Sequence, residues 1–172
     1  MRAFGRLLCL AIVYAAFGLA PASAQQAGAG CTSEPGPNAT QVLRCHDGLT
    51  IVAEDSAKFT LQGRNGSVNA VDLQNKALLL DAPKQRGKTH FRVTTPQAIA
   101  AVRGTKWAVD VQQSRTSVLV LQGRVGVRRP ARAAQVILGP GEGVDVGPGT
   151  EPLVVKRWPQ ARVDALLARL GQ

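Results

Sequence analysis

Residues 104–127 read GTKWAVDVQQSRTSVLVLQGRVGV, and this stretch decides the fold. Trp107-Ala108-Val109-Asp110-Val111 alternates between the two faces of an extended chain, and apolar runs follow at 118–121 and 125–127. A glycine, Gly123, separates the last two runs. Period-two alternation of β-branched residues between glycine-containing turns is typical of β-strands. The stretch therefore predicts consecutive short strands joined by tight turns.

Similar segments extend in both directions, and their starts recur about every 19 residues. One set of starts comprises Leu49, Val68, Phe91, Trp107, Val125 and Val144. The intervening set comprises Phe59, Leu78, Ile99, Val118 and Val136. Two strands per repeat favour an all-β, β-helix or solenoid-like stack, in which each rung of about 19 residues covers the apolar face of the next. An antiparallel β-sandwich has the same strand spacing and stays the alternative.

The spacing of the apolar residues changes after Trp158. Apolar residues then recur at helical spacing, at Val163, Leu166, Leu167 and Leu170. We expect residues 156–172 to form an amphipathic helix that packs on the β domain by covering an open end of the stacked rungs. Docking to a partner or to a membrane surface is the alternative role for this helix. If the helix packs, truncation after Trp158 should lower thermal stability and promote self-association.

The N-terminus has the pattern of a bacterial secretory signal peptide. Arg2 and Arg6 precede an uncharged run, Leu7–Ala20, and small residues then lead to Ala24. Fourteen residues span only about 21 Å as a helix, which is short of a membrane core of about 30 Å. We expect cleavage near Ala24, export to the periplasm or the medium, and no transmembrane insertion. Removing residues 1–24 lowers the net charge from +10 to +8.

The mature chain keeps two of the three cysteines, Cys31 and Cys45. An exported protein meets an oxidising compartment, so the pair is interpreted as a disulfide. A metal site with His46 is the alternative, but three ligands without paired spacing are a poor zinc pattern. Lipidation of Cys31 is a further alternative, and the residues before it match a lipoprotein signal poorly. Residues 25–40 are rich in Gln, Ala, Gly and Pro, which predicts a flexible N-terminal arm.

The residues that catalysis requires are scarce. The two histidines, His46 and His90, are far apart in the predicted strand order. Gly139–Gly143 looks like a phosphate-binding loop, but it lacks the Lys-Ser/Thr ending and precedes a strand. Glu54 and Asp55 are adjacent, and neighbouring strand residues point to opposite faces. The sequence therefore predicts no enzyme, no cofactor and no metal site.

Positive charge is the strongest compositional signal, with 21 Lys and Arg against 11 Asp and Glu. The candidate basic binding patch comprises Arg124, Arg128, Arg129, Arg132, Lys156 and Arg157. Such a patch is either a solvated face or a binding surface for an anionic envelope polymer or an acidic protein. Export disfavours nucleic acid as the ligand, and an aromatic content of 4% leaves few rings for base stacking.

The amino-acid sequence of residues 91–146 resembles that of FecR-type periplasmic domains. The matching runs are Phe91–Pro96, Ala98–Thr105, Trp107–Val109 and the glycine-bounded segments that follow. The signature residues are Phe91, Pro96, Arg103, Gly104, Thr105, Trp107, Gly123 and Gly143. The resemblance implies a periplasmic, mostly β-helical domain over residues 41–155. The best-known members sense an outer-membrane transporter and pass its state to a cytoplasmic sigma factor.

We expect this chain to depart from those members, since residues 1–24 are interpreted as a signal peptide rather than as a cytoplasmic segment and transmembrane helix before the domain. It resembles a stand-alone, secreted FecR domain that does not itself reach a sigma factor. We expect a non-enzymatic protein-interaction or sensory and regulatory module of the cell envelope, with an envelope or membrane protein as partner. The alternative is a binder of anionic cell-surface polymer or glycan through a basic face.

The signature residues also have physical interpretations of their own. Gly104 and Gly123 allow tight corners or a positive φ that a Cβ would hinder. Trp107 is expected to fill the interior, where its loss costs about 3–5 kcal/mol. The guanidinium of Arg103 is expected to satisfy backbone carbonyls at a corner; capture of a ligand's carboxylate or phosphate is the alternative.

Overall fold

The structure is a computed structural model that describes residues 30–84 and 91–172. The expected signal peptide, residues 25–29 and His90 therefore lie outside the described residues. The described part forms thirteen strands and one α-helix. These are β1 Cys31–Pro35, β2 Gln41–Cys45, β3 Thr50–Ala53, β4 Lys58–Arg64, β5 Ser67–Ala82, β6 Phe91–Thr94, β7 Ile99–Val102, β8 Thr105–Gln112, β9 Arg115–Gln122, β10 Val125–Arg128, β11 Gln135–Leu138, β12 Glu142–Val146, β13 Lys156–Arg157 and α1 Gln160–Arg169.

Two sheets share the long strand β5 and curl around one core as an open half-barrel. Sheet A has the order β1-β2-β3-β5-β8-β9-β12-β13, and sheet B has the order β4-β5-β6-β7-β10-β11. The first half of β5 pairs in sheet B and its last seven residues pair in sheet A. The change occurs at Lys76, whose φ of +66° lies in the left-handed region. A single residue in that conformation bends the strand from one sheet into the other.

The all-β fold and the C-terminal helix are confirmed, whereas the solenoid of stacked rungs is not. Every pairing between described strands is antiparallel except β5 with β6. Stacked rungs require parallel pairing of equivalent strands. The interval of about 19 residues arises because two strands and two turns have the same length in consecutive hairpins as in a rung.

The main core lies between the inner faces of the two sheets. Trp107 of β8 is fully buried there, paired with Leu80 on one side and Val120 on the other. Sheet B contributes its own inward residues, including Val93 and Val127, which are also fully buried. The alternation visible in the sequence thus becomes a two-sided core, since each strand places every second residue inward.

A second apolar core lies on the outer face of sheet A, beneath α1. The sheet contributes Val52, Ala77, Leu79, Ala108 and Leu119, and the C-terminal segment contributes Trp158, Val163, Leu166 and Leu170. The helix therefore packs on the β domain as expected, but it covers the outer face of sheet A and not an end of stacked rungs. The outward residues of β5 and β8 are small or aliphatic, and a sheet with one apolar outer face needs a cover.

Arg169 joins α1 to the sheet by charge. Its guanidinium donates to Glu54 at 2.6 and 3.1 Å and to Asp110 at 2.9 and 3.1 Å. The two carboxylates are only 13% and 10% exposed, so the arginine neutralises charges that water does not reach well. These hydrogen bonds, first with Asp110 and then with Glu54, raise the pKa of Arg169 above its ordinary value.

Arg169→Met is expected to lower the free energy of unfolding by about 3 kcal/mol, because it removes the cation of the nearly buried Asp110 and leaves Glu54 with only the more distant Lys76 ammonium, at 3.9 Å, among the described residues. Urea denaturation, followed by the fluorescence of the two tryptophans, measures the loss. The control is the triple variant Glu54→Gln, Asp110→Asn and Arg169→Met, in which all three side chains are uncharged. It should recover most of the lost free energy of unfolding. A single variant as stable as the parent would contradict a stabilising role for the cluster.

The first two strands form a disulfide-linked hairpin that touches α1. Cys31 and Cys45 face each other in the β1–β2 register and are bonded, with an S–S distance of 2.06 Å. The turn between the strands places the Asn38 side-chain amide 3.0 Å from the carbonyl of Ala168, to which it donates. From Cys31 onward the segment expected to be a flexible arm is thus a paired strand and a turn, since backbone hydrogen bonds and the disulfide hold it.

Replacing both cysteines by serine is expected to lower the free energy of unfolding by about 3 kcal/mol, from the entropy of the loop that the disulfide closes. Thermal denaturation of the double variant against the parent, each with and without reductant, measures the difference. Reductant should destabilise the parent and leave the double variant unchanged. Alkylation of the unreduced parent that changes its intact mass would show free thiols instead.

A candidate interaction site at the open side of the half-barrel

The half-barrel is open where sheet B ends at β11 and sheet A ends at β12 and β13. The irregular segment 147–155, which joins β12 to β13, lies over this side. Leu153 and Val155 pack against the main core, whereas Val154 between them is 60% exposed. Across the opening β11 contacts β12, and Ile137 of β11 is 53% exposed. We call β11, the connection 129–134 and segment 147–155 together the seam.

Two adjoining clefts lie in the seam, one on each side of Arg129. The larger cleft has a volume of about 380 Å³ and is lined by Pro96, Arg132 and Thr150, among others. The smaller has a volume of about 250 Å³, and its lining includes Asp145, Lys156 and Trp158. Three residues of the candidate basic patch, Arg129, Arg132 and Lys156, therefore line these clefts.

Two arginines of the candidate patch hold loops together. Nη1 of Arg129 donates to the carbonyl of Gly147 at 2.6 Å, and Nε and Nη2 reach the carbonyl of Glu151 at 3.3 Å each. These bonds tie the β10–β11 connection to segment 147–155. Arg128 instead donates to carbonyls of its own connection, the nearest being that of Pro130 at 3.2 Å. Both guanidiniums thus stabilise the walls of the clefts.

The other four patch residues fall into two pairs. Arg132 and Lys156 line the larger and the smaller cleft, respectively, and neither side chain has a hydrogen-bond or ion-pair partner within residues 30–84 and 91–172. Arg124 precedes β10 at the strand's other end, and Arg157 pairs with Glu142 in the β12–β13 register. The six residues therefore do not form a single continuous basic face.

The signature glycines provide close approaches between backbones and side chains. Gly104 and Gly123 have φ of +64° and +89°, where a Cβ is strained. A Cβ on Gly123 would also lie 2.8 Å from the carbonyl oxygen of Gly104. At Gly143 a Cβ would collide with the indole of Trp158, so glycine lets that ring lie against β12. The Thr105 hydroxyl donates to the Arg124 carbonyl at 3.1 Å and joins the same corner.

Arg103 and Phe91 lie away from the seam. They line a small opening of the core, together with Pro83 and Gly104. The Arg103 side chain is exposed, and no carbonyl within the described residues accepts a hydrogen bond from it. The expected corner contacts of this guanidinium are therefore not seen in that part of the chain.

Asp145 connects the smaller cleft to α1. Its carboxylate accepts from Ser117 Oγ at 2.6 Å and from Arg162 at 2.6 and 3.0 Å, and the Arg162 guanidinium lies 3.5 Å from the centre of the Trp158 ring. Burial by itself raises the pKa of Asp145. Hydrogen bonds from Arg162 and Ser117, and the charges of Arg162 and Arg115, outweigh burial and lower that pKa below its ordinary value.

The attachment of α1 near Asp145 is expected to weaken in acid. A carboxyl whose pKa is depressed by folding adds stability above its unfolded value of about 3.9, and this stability is lost as the pH falls through the folded value. Urea denaturation should give a lower free energy of unfolding at about pH 3 than at about pH 6, and this difference should be smaller in Asp145→Asn than in the parent. Equal decreases in the two proteins would exclude Asp145 as a source.

Sequence reasoning missed the two exposed apolar residues of the seam. Residues 136–138 were predicted as a strand, but a strand pattern does not tell which strand lies at a sheet edge. One signal was visible: between Asp110 and Glu142 the sequence has five arginines and no acidic residue. Three of these arginines, Arg128, Arg129 and Arg132, lie at the end of β10 and in its connection to β11, whereas Arg115 begins β9 of sheet A.

The chemistry offered by the seam is that of recognition: exposed aliphatic side chains, cations at two clefts and an open strand edge. No cluster of three or more His, Cys, Asp or Glu suited to a metal occurs in the described ranges. In the same part of the chain, no helix has the length and apolar character needed to cross a bilayer.

Comparison with known proteins identifies the family. The family described as FecR protein matches residues 33–126, more than half of the chain. Two crystal structures of a protein described as a "putative anti-sigma factor" from Parabacteroides distasonis ATCC 8503 share the fold, each with a TM-score of 0.51 and 20% identity. Each alignment covers 81% of this chain and 61% of the solved chain, and no curated protein matches. The chain belongs to the FecR protein family.

Proposed function

We propose that this protein is a regulatory or sensory protein-binding module of the bacterial cell envelope that acts without catalysis. Membership of the FecR family, over residues 33–126, carries the proposal. The seam is the surface that we assign to the partner, because Ile137 and Val154 are its exposed large apolar residues and Arg132 and Lys156 add charge. Exposed aliphatic groups beside cations are typical of protein-binding surfaces.

The module is proposed to act outside the cytoplasm, after removal of residues 1–24. The Cys31–Cys45 disulfide supports this location, since such bonds persist in oxidising compartments. The partner is then an envelope or membrane protein. The description of the structural neighbours as anti-sigma factors supports a signalling context.

Photo-crosslinking in living cells tests the proposal. A photoreactive amino acid replaces Ile137 in the seam, and the control places it at Thr60, an exposed residue of β4 on the opposite edge strand of sheet B. We expect one discrete membrane-protein adduct from position 137 and none from position 60. No adduct from position 137, or the same adducts from both positions, would overturn the assignment of the seam.

The second candidate function is binding of an anionic cell-surface polymer. It is favoured by the five arginines between Asp110 and Glu142, which no acidic residue offsets. Polymer binding through these cations releases counterions, so the affinity should fall steeply with salt. Dextran sulfate titrated at two salt concentrations tests this, with Arg132→Glu as the variant and Arg64→Glu on β4 as its matched control. Steep salt dependence without any protein adduct would favour this function over the first.

A further inference from the structure

The outermost strand of sheet B offers an unused backbone edge. β11 pairs with β10 only, and no backbone hydrogen bond joins it to segment 147–155 or to any other described residue outside that pairing. An edge strand directs half of its N–H and C=O groups away from its neighbour, where they can pair with another chain. Four residues, Gln135–Leu138, present this edge.

The other sheet edges are less suited to pairing. β13 has only two residues. β1 carries the charged Glu34 and ends at Pro35, which has no N–H to donate. β4 carries two register irregularities and polar residues on its exposed face, including Thr60 and Gln62. Irregular pairing and charged residues are devices that protect an edge; β11 pairs in regular register and has no charged residue among its four, Gln135 being its one polar side chain.

The outer face beside β11 is bare, unlike that of sheet A. The helix α1 covers the outer face of sheet A. On sheet B, Ile137, Gly126 and Ala101 lie in one row across β11, β10 and β7. Because Gly126 has no side chain, the side chains of Gln135 and Ile137 both lie over it, with Oε1 of Gln135 3.2 Å and Cδ1 of Ile137 3.5 Å from where a Cβ would lie. This row forms a shallow apolar surface next to the open edge.

The charge at the start of this edge is basic, whereas the carboxylate of Glu142 accepts a hydrogen bond from the Gly139 N–H just after the end of the strand. Arg128 lies opposite Gln135 in the β10–β11 register, and Arg132 lies in the connection that leads into β11. No acidic residue occurs between Asp110 and Glu142. Since basic side chains attract carboxylates and repel other basic groups, the start of the edge favours acid-bearing extended segments over basic ones.

We propose that β11 takes up an extended, acid-bearing segment of the partner protein as an added strand of sheet B. Backbone hydrogen bonds to the free edge supply pairing, an aliphatic residue of the segment packs on Ile137, and its carboxylates face Arg132. This rests on the proposed function, because it specifies how the seam holds a protein partner.

Peptide binding to the full mature chain tests the added strand. The probe is a labelled six-residue peptide alternating valine and glutamate, titrated to about 1 mM by fluorescence anisotropy. We expect saturable binding, none for the lysine counterpart, and none for the same peptide with every backbone nitrogen methylated. Ile137→Glu and Arg132→Glu should each weaken binding about tenfold, whereas Thr60→Glu and Arg64→Glu on β4 should not. Unchanged melting temperatures would show that these surface variants fold.

Hydrogen exchange locates the contact, since an added strand should slow exchange of amides within Gln135–Leu138. Undiminished binding of the methylated peptide, or protection elsewhere, would overturn strand addition. Binding of dextran sulfate but not of the peptide would assign the edge to a polymer. A dimer lost in Ile137→Glu would assign it to a second copy of the chain. If position 137 still gives its membrane-protein adduct while the peptide does not bind, only strand addition is wrong. If position 137 gives no adduct, the assignment of the seam to a protein partner is wrong as well.

Discussion

Truncation after Trp158 is expected to lower the free energy of unfolding by about 5 kcal/mol or more and to make the chain self-associate. The deletion removes Val163, Leu166 and Leu170, which are buried against sheet A, and each such residue stabilises by about 1.5–3 kcal/mol. It also removes Arg169, which leaves Asp110 without its ion-pair partner and Glu54 with only the Lys76 ammonium at 3.9 Å among the described residues. The outer face of sheet A then becomes an exposed apolar sheet, which is a surface prone to association.

Thermal denaturation and sedimentation of the truncated chain measure both effects. Leu166→Ala with Leu170→Ala is a milder comparison, because it keeps the length and charges of α1 and removes only buried side chains. Ala165→Ser, on the exposed face of the helix, is the matched control and should behave as the parent does. A truncated chain that melts like the parent and stays monomeric would show that α1 does not stabilise the sheet.

Trp107→Ala is expected to lower the free energy of unfolding by about 3–5 kcal/mol. The indole is fully buried between the two sheets, in contact with strands on both sides of β8. Its removal leaves a cavity that two curled sheets sharing β5 cannot close without disturbing their pairing. Urea denaturation followed by circular dichroism is the measurement, because the variant loses one of the two tryptophans.

Trp107→Phe separates volume from polarity at the same position. The indole Nε1–H is buried, and no group within the described residues accepts a hydrogen bond from it. An unsatisfied buried donor costs about 1–3 kcal/mol, which phenylalanine avoids while keeping an aromatic ring. The phenylalanine variant should therefore lose much less stability than the alanine variant. Equal losses would mean that the nitrogen, rather than the packed ring, is essential.

The candidate site shows where charge patterns in a sequence mislead. Arg128 and Arg129 are adjacent to other arginines and were grouped with them as one binding patch. In the folded chain their guanidiniums satisfy carbonyls of two loops, one of them contributed by Gly147 and Glu151. Carbonyls left without partners by irregular loops compete for nearby cations. Only Arg132 and Lys156 reach the clefts without such partners in the described part of the chain.

In the second core, too, the sequence pattern does not predict which charged side chains become buried. Asp110 lies in the most regular alternating segment of the sequence, where a polar residue between valines predicts a solvent-facing side chain. It is nearly buried because Arg169, 59 positions later, folds over it. Glu54 is 115 positions from the same arginine. A pattern of neighbouring residues carries no information on contacts at that separation.

The strands, the C-terminal helix and the family could be predicted from the sequence because each depends on residues close together in the chain. Alternation of apolar and polar residues sets the two faces of a strand, and apolar residues spaced three and four apart set the buried stripe of a helix. A short run such as Val102–Thr105 is enough to indicate the family. The direction of strand pairing, the place of α1 and the open edge at β11 were decided by tertiary structure. Rungs and hairpins have equal lengths along the chain, so only the packing of the apolar faces of sheets A and B selects between them.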